Sequence, residues 1–135
     1  MPLGAKWEFA ARGGAVCHGN YTFSGSNVAA DVAWTLENSG GRTHEVGTLR
    51  SNALGLYDMS GNVWEWVWDW FGTYPSVAET DPVGASSGSG RVVRGGSSGL
   101  TPVNARSAYR NASGPSSQSR GLGFRLVRPS LTGQA

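Results

Sequence analysis

The stretch NVWEWVWDW, residues 62–70, carries a tryptophan at every second position. Side chains that alternate in this way point to opposite faces of a β-strand, so the run predicts a strand with one indole face. A packed indole buries about 150–250 Å², and we therefore expect this face to be mainly core. Exposed indoles stacked on a sugar or a base are the alternative. One face of this strand carries Trp64, Trp66, Trp68 and Trp70, and the other carries Glu65, Val67 and Asp69.

The composition bounds the class of protein around this strand. A chain of 135 residues with 39% hydrophobic residues and 21 glycines suits one small, loop-rich α+β domain. The formal charge of +2 comes with no basic stripe, so we expect no nucleic-acid partner. No run reaches the roughly 18 apolar residues of a membrane helix, and the N-terminus has no signal-peptide pattern. We therefore expect a soluble protein without a membrane segment.

Other elements are less strongly patterned. Residues 5–14 predict a helix that Gly13 and Gly14 end. A short helix is expected near 29–34. Short strands are predicted at residues 45–48, 91–94 and 122–129. Residues 72–90 and the segment around 105–110 are expected to be irregular, and 130–135 to be a tail.

Several motifs together point to a family. WEFAARGG, NALGLYDMSGNVWEW, RVVRGGS, ARSAYR and GFRLV occur in this order and closely resemble the formylglycine-generating-enzyme, or sulfatase-modifying factor, family. The resemblance implies a C-type-lectin-like fold of the formylglycine-generating-enzyme type, with a small twisted antiparallel sheet, two helices and long ordered loops. It covers one domain at residues 1–129. The usual N-terminal portion of the family domain is missing, so we expect a minimal version or a fragment.

The resemblance does not extend to the family's oxidase chemistry. Formylglycine-generating enzymes carry paired active-site cysteines after the RGGS strand, and these thiolates bind copper. The only cysteine of this chain is Cys17, upstream of that region. Because a copper(I) site needs soft thiolate ligands, we expect no copper and no enzyme activity. Cys17 is interpreted as a small, partly buried side chain.

A second branch with this fold fits the C-terminal third better. The variable proteins of diversity-generating retroelements have a fixed frame, which resembles RGGS, ARSAYRN and GFRLV here, and randomised positions between the frame residues. Ser98 supports this resemblance, because ordinary family members carry an aromatic residue directly after RGGS. The implied function is a non-catalytic display protein that binds a protein or other macromolecular ligand through residues 98–122. The candidate variable positions are Ser98, Gly99, Leu100, Thr101, Val103, Asn104, Asn111, Ser113, Ser116, Ser117, Gln118, Ser119 and Leu122.

The alternatives are an accessory or binding domain of the family with no diversified surface and, third, a sulfatase-modifying oxidase. In either binding role, small polar side chains with occasional apolar ones suit an adaptable contact surface. The frame arginines Arg106, Arg110 and Arg125 are expected in buried hydrogen-bonded pairs.

The loop YDMSGNVWE implies a structural Ca²⁺ site by the same resemblance. Asp58 and Glu65 would supply carboxylate oxygens, and Gly61 and Val63 backbone carbonyls. Calcium takes six to eight oxygen ligands at about 2.3–2.6 Å. The alternative is that Asp58 caps a turn and Glu65 pairs with an arginine.

Overall fold

The structure is a computed structural model that describes residues 1–17 and 19–129, so the tail predicted at 130–135 lies outside the described residues. The described part contains short helices, short strands and long loops. In chain order the helices and strands are α1 (Gly4–Ala11), α2 (Ala29–Val32), β1 (Ala33–Trp34), α3 (Leu36–Ser39), β2 (Ser60–Gly61), β3 (Trp64–Trp70), β4 (Arg91–Arg94), β5 (Arg110–Ser113) and β6 (Leu122–Phe124). Two 3₁₀ turns lie at Gly14–Val16 and Pro102–Ala105.

The main sheet has four strands in the order β5-β4-β3-β6. β4 pairs antiparallel with both β3 and β5, as predicted, whereas β6 pairs parallel with β3. The sheet is therefore mixed rather than wholly antiparallel. β5 and β6 form its two edges although they are neighbours in sequence, because the chain crosses from one edge to the other between them.

One helix covers one face of this sheet. α1 packs on β3 and β4 through a buried cluster formed by Trp7, Ala11, Met59, Val67 and Val92. Backbone N–H groups at the start of a helix have no partner within it, and the Oδ1 atom of Asp69 accepts from the N–H of Gly4 at 3.0 Å. The helix ends before Gly13, whose φ of 93° and close approach to Cys17 require a residue without a Cβ.

The tryptophans of β3 lie on the other face, and their expected role as core is wrong. Val67 is fully buried and Glu65 is 5% exposed, whereas Trp68 is 56% exposed and the other indoles are half-buried. The reason is that α1 packs on the Glu65 and Val67 side of the strand. The alternation was interpreted correctly as a strand, but the face that packs is the one with the charged residue.

A second, smaller core supports the loops. Phe23, Val32, Ala33 and Ala105 form a buried cluster beside the two-stranded parallel sheet of β1 and β2. In β2 the φ of Gly61 is 77°, and a Cβ there would lie 2.5 Å from the carbonyl oxygen of Trp34. Only glycine allows this approach of the two strands.

Three further sequence predictions need correction. Residues 45–48 form a turn rather than a strand, and β6 ends at Phe124 instead of continuing to 129. The segment around 105–110 is predicted to be irregular, but its last residue begins β5, since Arg110–Ser113 pairs with β4. These short segments depend on partners that are distant in sequence, which local patterns do not reveal.

Candidate functional site

The tryptophan side of the sheet brings side chains of four strands onto one face, on which the central Val93 is only 3% exposed. Residues paired across a sheet point to the same face, and the register places Asn111, Val93, Trp66 and Phe124 in one row from edge to edge. Two shorter rows on this face join Ser113, Arg91 and Trp70, and Trp64 with Leu122. We call this surface the tryptophan face.

Three candidate variable positions thus lie on the tryptophan face: Asn111 and Ser113 at the β5 edge and Leu122 at the β6 edge. Next to Leu122, Trp64 donates its backbone N–H to the carbonyl of Gly121 at 2.7 Å, and its ring lies 6.1 Å from that of Tyr109. The sequence predicts the tryptophans as core and the variable positions as a binding surface, whereas the sheet register places both on one face.

Arg91 adds a positive charge to this surface. Its guanidinium lies 3.7 Å from the ring centre of Trp70 and 4.8 Å from that of Trp68, and it donates to the Trp68 carbonyl. Stacking on two indoles holds the side chain in one place while its charge stays at the surface. Arg91 was not among the residues predicted from the sequence, since only the pairing of β4 with β3 brings it beside the indoles.

Loop positions extend the surface around the end of the sheet. Gly99, Thr101 and Val103 are exposed, and Leu100 and Asn104 are half-buried around the 3₁₀ turn. Ser116, Ser117, Gln118 and Ser119 are all exposed in the crossing segment between β5 and β6. That segment is ordered by a turn in which Ser117 N–H donates to the Gly114 carbonyl at 2.9 Å.

Ser98 is different from the other candidate positions because it is only 4% exposed. Its backbone N–H donates to the Asn62 carbonyl at 2.9 Å, and its carbonyl accepts from the Ser39 hydroxyl at 2.6 Å. In this arrangement Ser98 joins loops and offers no surface to a ligand.

Glu65 forms a buried ion pair on the opposite side of β3. Arg125 donates Nε to Oε2 at 2.8 Å and Nη2 to Oε1 at 2.7 Å, and the indole Nε1 of Trp7 donates to Oε2 at 2.8 Å. Burial opposes the charged guanidinium, but the hydrogen bond and charge of Glu65, with the charge of Asp58, hold the pKa of Arg125 above its usual value. Arg125 therefore stays charged.

The frame arginines differ in their surroundings. Arg125 pairs with Glu65 as expected. Arg106 is exposed and donates only to the Val103 carbonyl, so its expected burial is wrong. Arg110 donates to the carbonyl of Gly72 and stacks on aromatic rings, but no carboxylate among the described residues pairs with it. Arg94, also a frame residue, is 2% exposed and pairs with Glu8 at 2.9 Å.

Three of the four predicted cation residues, Asp58, Val63 and Glu65, line a separate cavity of about 460 Å³. The fourth, Gly61, lies in β2 opposite Trp34 and is not part of this lining. Asp58 has a φ of 56°, and its Oδ2 accepts from Gly47 N–H at 2.9 Å. Its Oδ1 is buried without a hydrogen-bond partner, which fits the chemistry of a cation ligand because buried carboxylate oxygens need a donor or a metal. Glu65 already accepts hydrogen bonds from Arg125 and Trp7, in agreement with the alternative prediction that Glu65 pairs with an arginine. An ion would therefore share this carboxylate with Arg125.

Within residues 1–17 and 19–129, no group of three or more His, Cys, Asp or Glu side chains is arranged to hold a metal ion. A site at Asp58 and Glu65 would therefore depend on backbone carbonyls and water for its remaining ligands.

Cys17 is half-buried, and its thiol lies 3.4 Å from the carbonyl of Gly19. Across the described residues 1–17 and 19–129, no helix has the length and apolar character needed to cross a membrane.

Comparison with known proteins agrees with this architecture. Residues 1–130 match the model of the sulfatase-modifying factor enzyme 1-like domain family. The formylglycine-generating enzyme of Streptomyces coelicolor is 36% identical over 145 residues, which cover 94% of this chain and 46% of that enzyme. Chaperone protein LppX of Paenibacillus barcinonensis is 41% identical over 96 residues, covering 58% of this chain and 34% of that protein.

Solved structures give the same result. Treponema denticola variable protein 1 superposes with a TM-score of 0.83 at 39% identity, over 92% of this chain and 45% of that one. PvdO from Pseudomonas aeruginosa superposes with a TM-score of 0.73 at 30% identity, over 92% of this chain and 50% of that one. The chain thus spans half or less of the length of these relatives. The C-type-lectin-like fold of the formylglycine-generating-enzyme type is confirmed, and the chain belongs to the family of the sulfatase-modifying factor enzyme 1-like domain.

Proposed function

We propose that this protein is a non-catalytic display protein of the kind encoded by diversity-generating retroelements, and that it binds a macromolecular ligand through the tryptophan face and its flanking loops. The observation that carries the proposal is the register of the sheet. It puts Asn111, Ser113 and Leu122 on the face of the sheet opposite α1, beside indoles that are partly exposed. The likeness to the variable protein of Treponema denticola, at 39% identity, supports it.

The division of the C-terminal third between two faces suits such a function. Arg94 and Arg125 form their ion pairs on the α1 side, with Glu8 and Glu65. The interposed positions on β5 make no side-chain contact of that kind. Substitutions on the tryptophan face can therefore change what is bound without removing the interactions that hold the fold together.

The chemistry of the face fits a protein ligand. Tryptophan, tyrosine and arginine dominate the energetics of protein contacts because they combine large apolar area with hydrogen bonding. Trp68, Arg91 and Phe124 offer these properties at the surface, and Phe124 is 65% exposed. Small serines beside them allow close approach.

An oxidase function is not proposed for this chain, although formylglycine-generating enzymes are among its relatives. The resemblance requires a pair of thiolates after the strand that corresponds to β4. The sequence has one cysteine, and Cys17 lies beside Gly13 after the end of α1. One thiol in that place cannot supply a two-thiolate copper site.

A structural calcium ion is a second proposal, carried by the unpartnered Oδ1 of Asp58. Asp58, with backbone carbonyls of Gly61 and Val63 and a share of Glu65, would hold the ion beside the loop that leads into β3. The ion would satisfy the buried oxygen and stabilise the folded state; it has no part in ligand contact.

The display function is tested with a library that randomises Asn111, Ser113 and Leu122 together. A library at the buried frame positions Ala105 and Ser107 is the matched control. We expect most members of the first library to resist proteolysis as the parent does, and selection against an arbitrary protein target to yield binders. Loss of folding in the first library as complete as in the control would contradict the proposal.

The gene itself separates display from an accessory binding role. A display protein requires a neighbouring reverse-transcriptase gene and a near-copy of codons 98–122 that differs only at adenines. If sequencing of the locus in related isolates shows neither, the accessory binding domain becomes the better interpretation.

A further inference from the structure

A second cavity lies beside α1 at the end of β3, and its lining includes Trp70 of the tryptophan face. Its volume is about 490 Å³, and its walls come from α1, the end of β3, the 72–85 segment and the β4–β5 pair. Pockets of about 300–1,000 Å³ hold small organic ligands. The residues that matter here are Glu8, Asp69, Tyr74, Arg94 and Arg110.

Arg110 contributes a positive charge without a paired carboxylate. Its guanidinium lies 3.7 Å from the ring centre of Tyr74 and 4.6 Å from that of Phe71, and Nη2 donates to the Gly72 carbonyl. These contacts fix the side chain and leave Nε and Nη1 without an acceptor among the described residues. A planar guanidinium held in this way is suited to a carboxylate.

The strand register makes the charge at Arg110 costly. Arg94 lies directly opposite Arg110 on the same face, and like charges across a strand pair destabilise it. Glu8, an acid of the same lining, is already paired with both Arg94 and Arg12 at 2.9 Å. Arg94 is 2% exposed, and its Nε is buried without an acceptor. Arg94 and Arg110 thus have one paired carboxylate between them, that of Glu8, while a further acid of the lining, Glu79, is exposed and pairs with neither arginine.

Asp69 contributes a negative charge that is also unpaired. Its Oδ1 accepts from Gly4 N–H, and within the described residues Oδ2 has neither a hydrogen-bond donor nor a cationic partner. A Cβ at residue 84 would lie 2.8 Å from Oδ2, so the glycine there leaves room at the carboxylate. No role for Asp69 is predicted from the sequence.

An unpaired guanidinium and an unpaired carboxylate thus line one cavity without forming an ion pair with each other. We propose that the cavity binds a small zwitterion of the amino-acid class. The ligand carboxylate contacts Arg110, the ligand ammonium contacts Oδ2 of Asp69, and its side chain packs against the apolar wall of Tyr74, Val77 and Pro82. Neither a simple anion nor a simple cation would satisfy both charges.

This site does not depend on the display function, because its lining contains none of the candidate variable positions. It is a place for a small molecule, whereas the tryptophan face offers a broad surface.

The test uses isothermal titration of the whole chain with each of the twenty L-amino acids. The amino acid that binds tightest is then compared with its N-acetyl derivative, which lacks the ammonium, and its amide, which lacks the carboxylate. We expect each derivative to bind at least about tenfold more weakly, since each leaves one charge of the site unpaired. Equal binding of either derivative, or no binding of any amino acid, would overturn the proposal.

Two variants assign the charges. Asp69→Asn keeps an oxygen for Gly4 N–H and removes the charge, and Arg110→Gln removes the guanidinium. Each variant should bind the parent amino acid at least about tenfold more weakly. Asp69→Asn should lose the preference over the N-acetyl derivative only, and Arg110→Gln the preference over the amide only. Asp81→Asn and Arg120→Gln, which change exposed charges outside the cavity lining, are the controls. Unchanged affinity in Asp69→Asn or Arg110→Gln, with circular dichroism equal to the parent, would show the assignment to be wrong.

Discussion

The indole N–H of Trp7 donates a 2.8 Å hydrogen bond to Oε2 of Glu65, which lies 58 residues further along the chain. Arg125 holds the same carboxylate from the other edge of the sheet. One side chain of β3 thus joins α1 to the residue that directly follows β6.

Replacing Glu65 with alanine leaves Arg125 and Trp7 without their acceptor. We expect the free energy of unfolding to fall by about 3 kcal/mol, because removing one partner of a buried pair leaves a desolvated charge. Urea unfolding followed by tryptophan fluorescence measures the change. Glu45→Ala, at an exposed position, is the control. Equal stability of the two variants would mean that the pair contributes nothing.

Neighbouring residues of β3 test which face packs. Val67→Ala should reduce the free energy of unfolding by about 2 kcal/mol, since the side chain is fully buried. Trp68→Ala should cost less than about 1 kcal/mol despite the larger side chain, because Trp68 is 56% exposed. The two variants are compared by the same urea titration. A larger loss of unfolding free energy in Trp68→Ala than in Val67→Ala would mean that the tryptophans are core residues.

Calcium should raise the melting temperature, measured in CaCl₂ and in EDTA. A ligand that binds only the folded state adds about 2.7 kcal/mol at a concentration one hundred times its dissociation constant. Asp58→Asn should remove the difference, while Glu45→Gln should keep it. A melting temperature of the parent chain that is the same in both solutions would remove the calcium proposal.

An added charge should destabilise the fold at one serine of the C-terminal third and leave its stability nearly unchanged at another. Ser98→Asp puts a carboxylate at a position that is 4% exposed, and we expect a loss of at least about 2 kcal/mol. Ser117→Asp, in the exposed crossing segment, should change stability by less than about 0.5 kcal/mol. Thermal melts of both variants check this. If Ser98→Asp proves neutral, residue 98 is accessible and rejoins the candidate contact positions.

These tests also separate what the sequence could predict from what it could not. Alternation at 62–70 predicted β3, and the ordered motifs predicted the family and its fold. Alternation defines two faces but does not say which one packs. Hydrophobicity favoured the indole face as the one that packs. Glu65 is buried instead because Arg125, 60 residues further along the chain, pairs with it. β5 was missed for a related reason, because its polar residues become a strand only when β4 is beside them.

The candidate site was predicted in part. The interposed positions were proposed from the resemblance, but their grouping with the tryptophans follows from the order β5-β4-β3-β6. Arg91 and the charge pattern around Asp69 and Arg110 had no signal in the sequence, since each depends on side chains from separate elements.

The placement of β5 and β6 at opposite edges has a consequence for how such a surface can evolve. Both ends of the crossing segment are anchored by strand pairing, at Ser113 with Arg91 and at Leu122 with Trp64. Lengthening a closed loop costs little free energy, because the closure entropy grows only slowly with length. Insertions and deletions between these anchors can therefore reshape the surface in size as well as in composition, while the sheet beneath keeps its register.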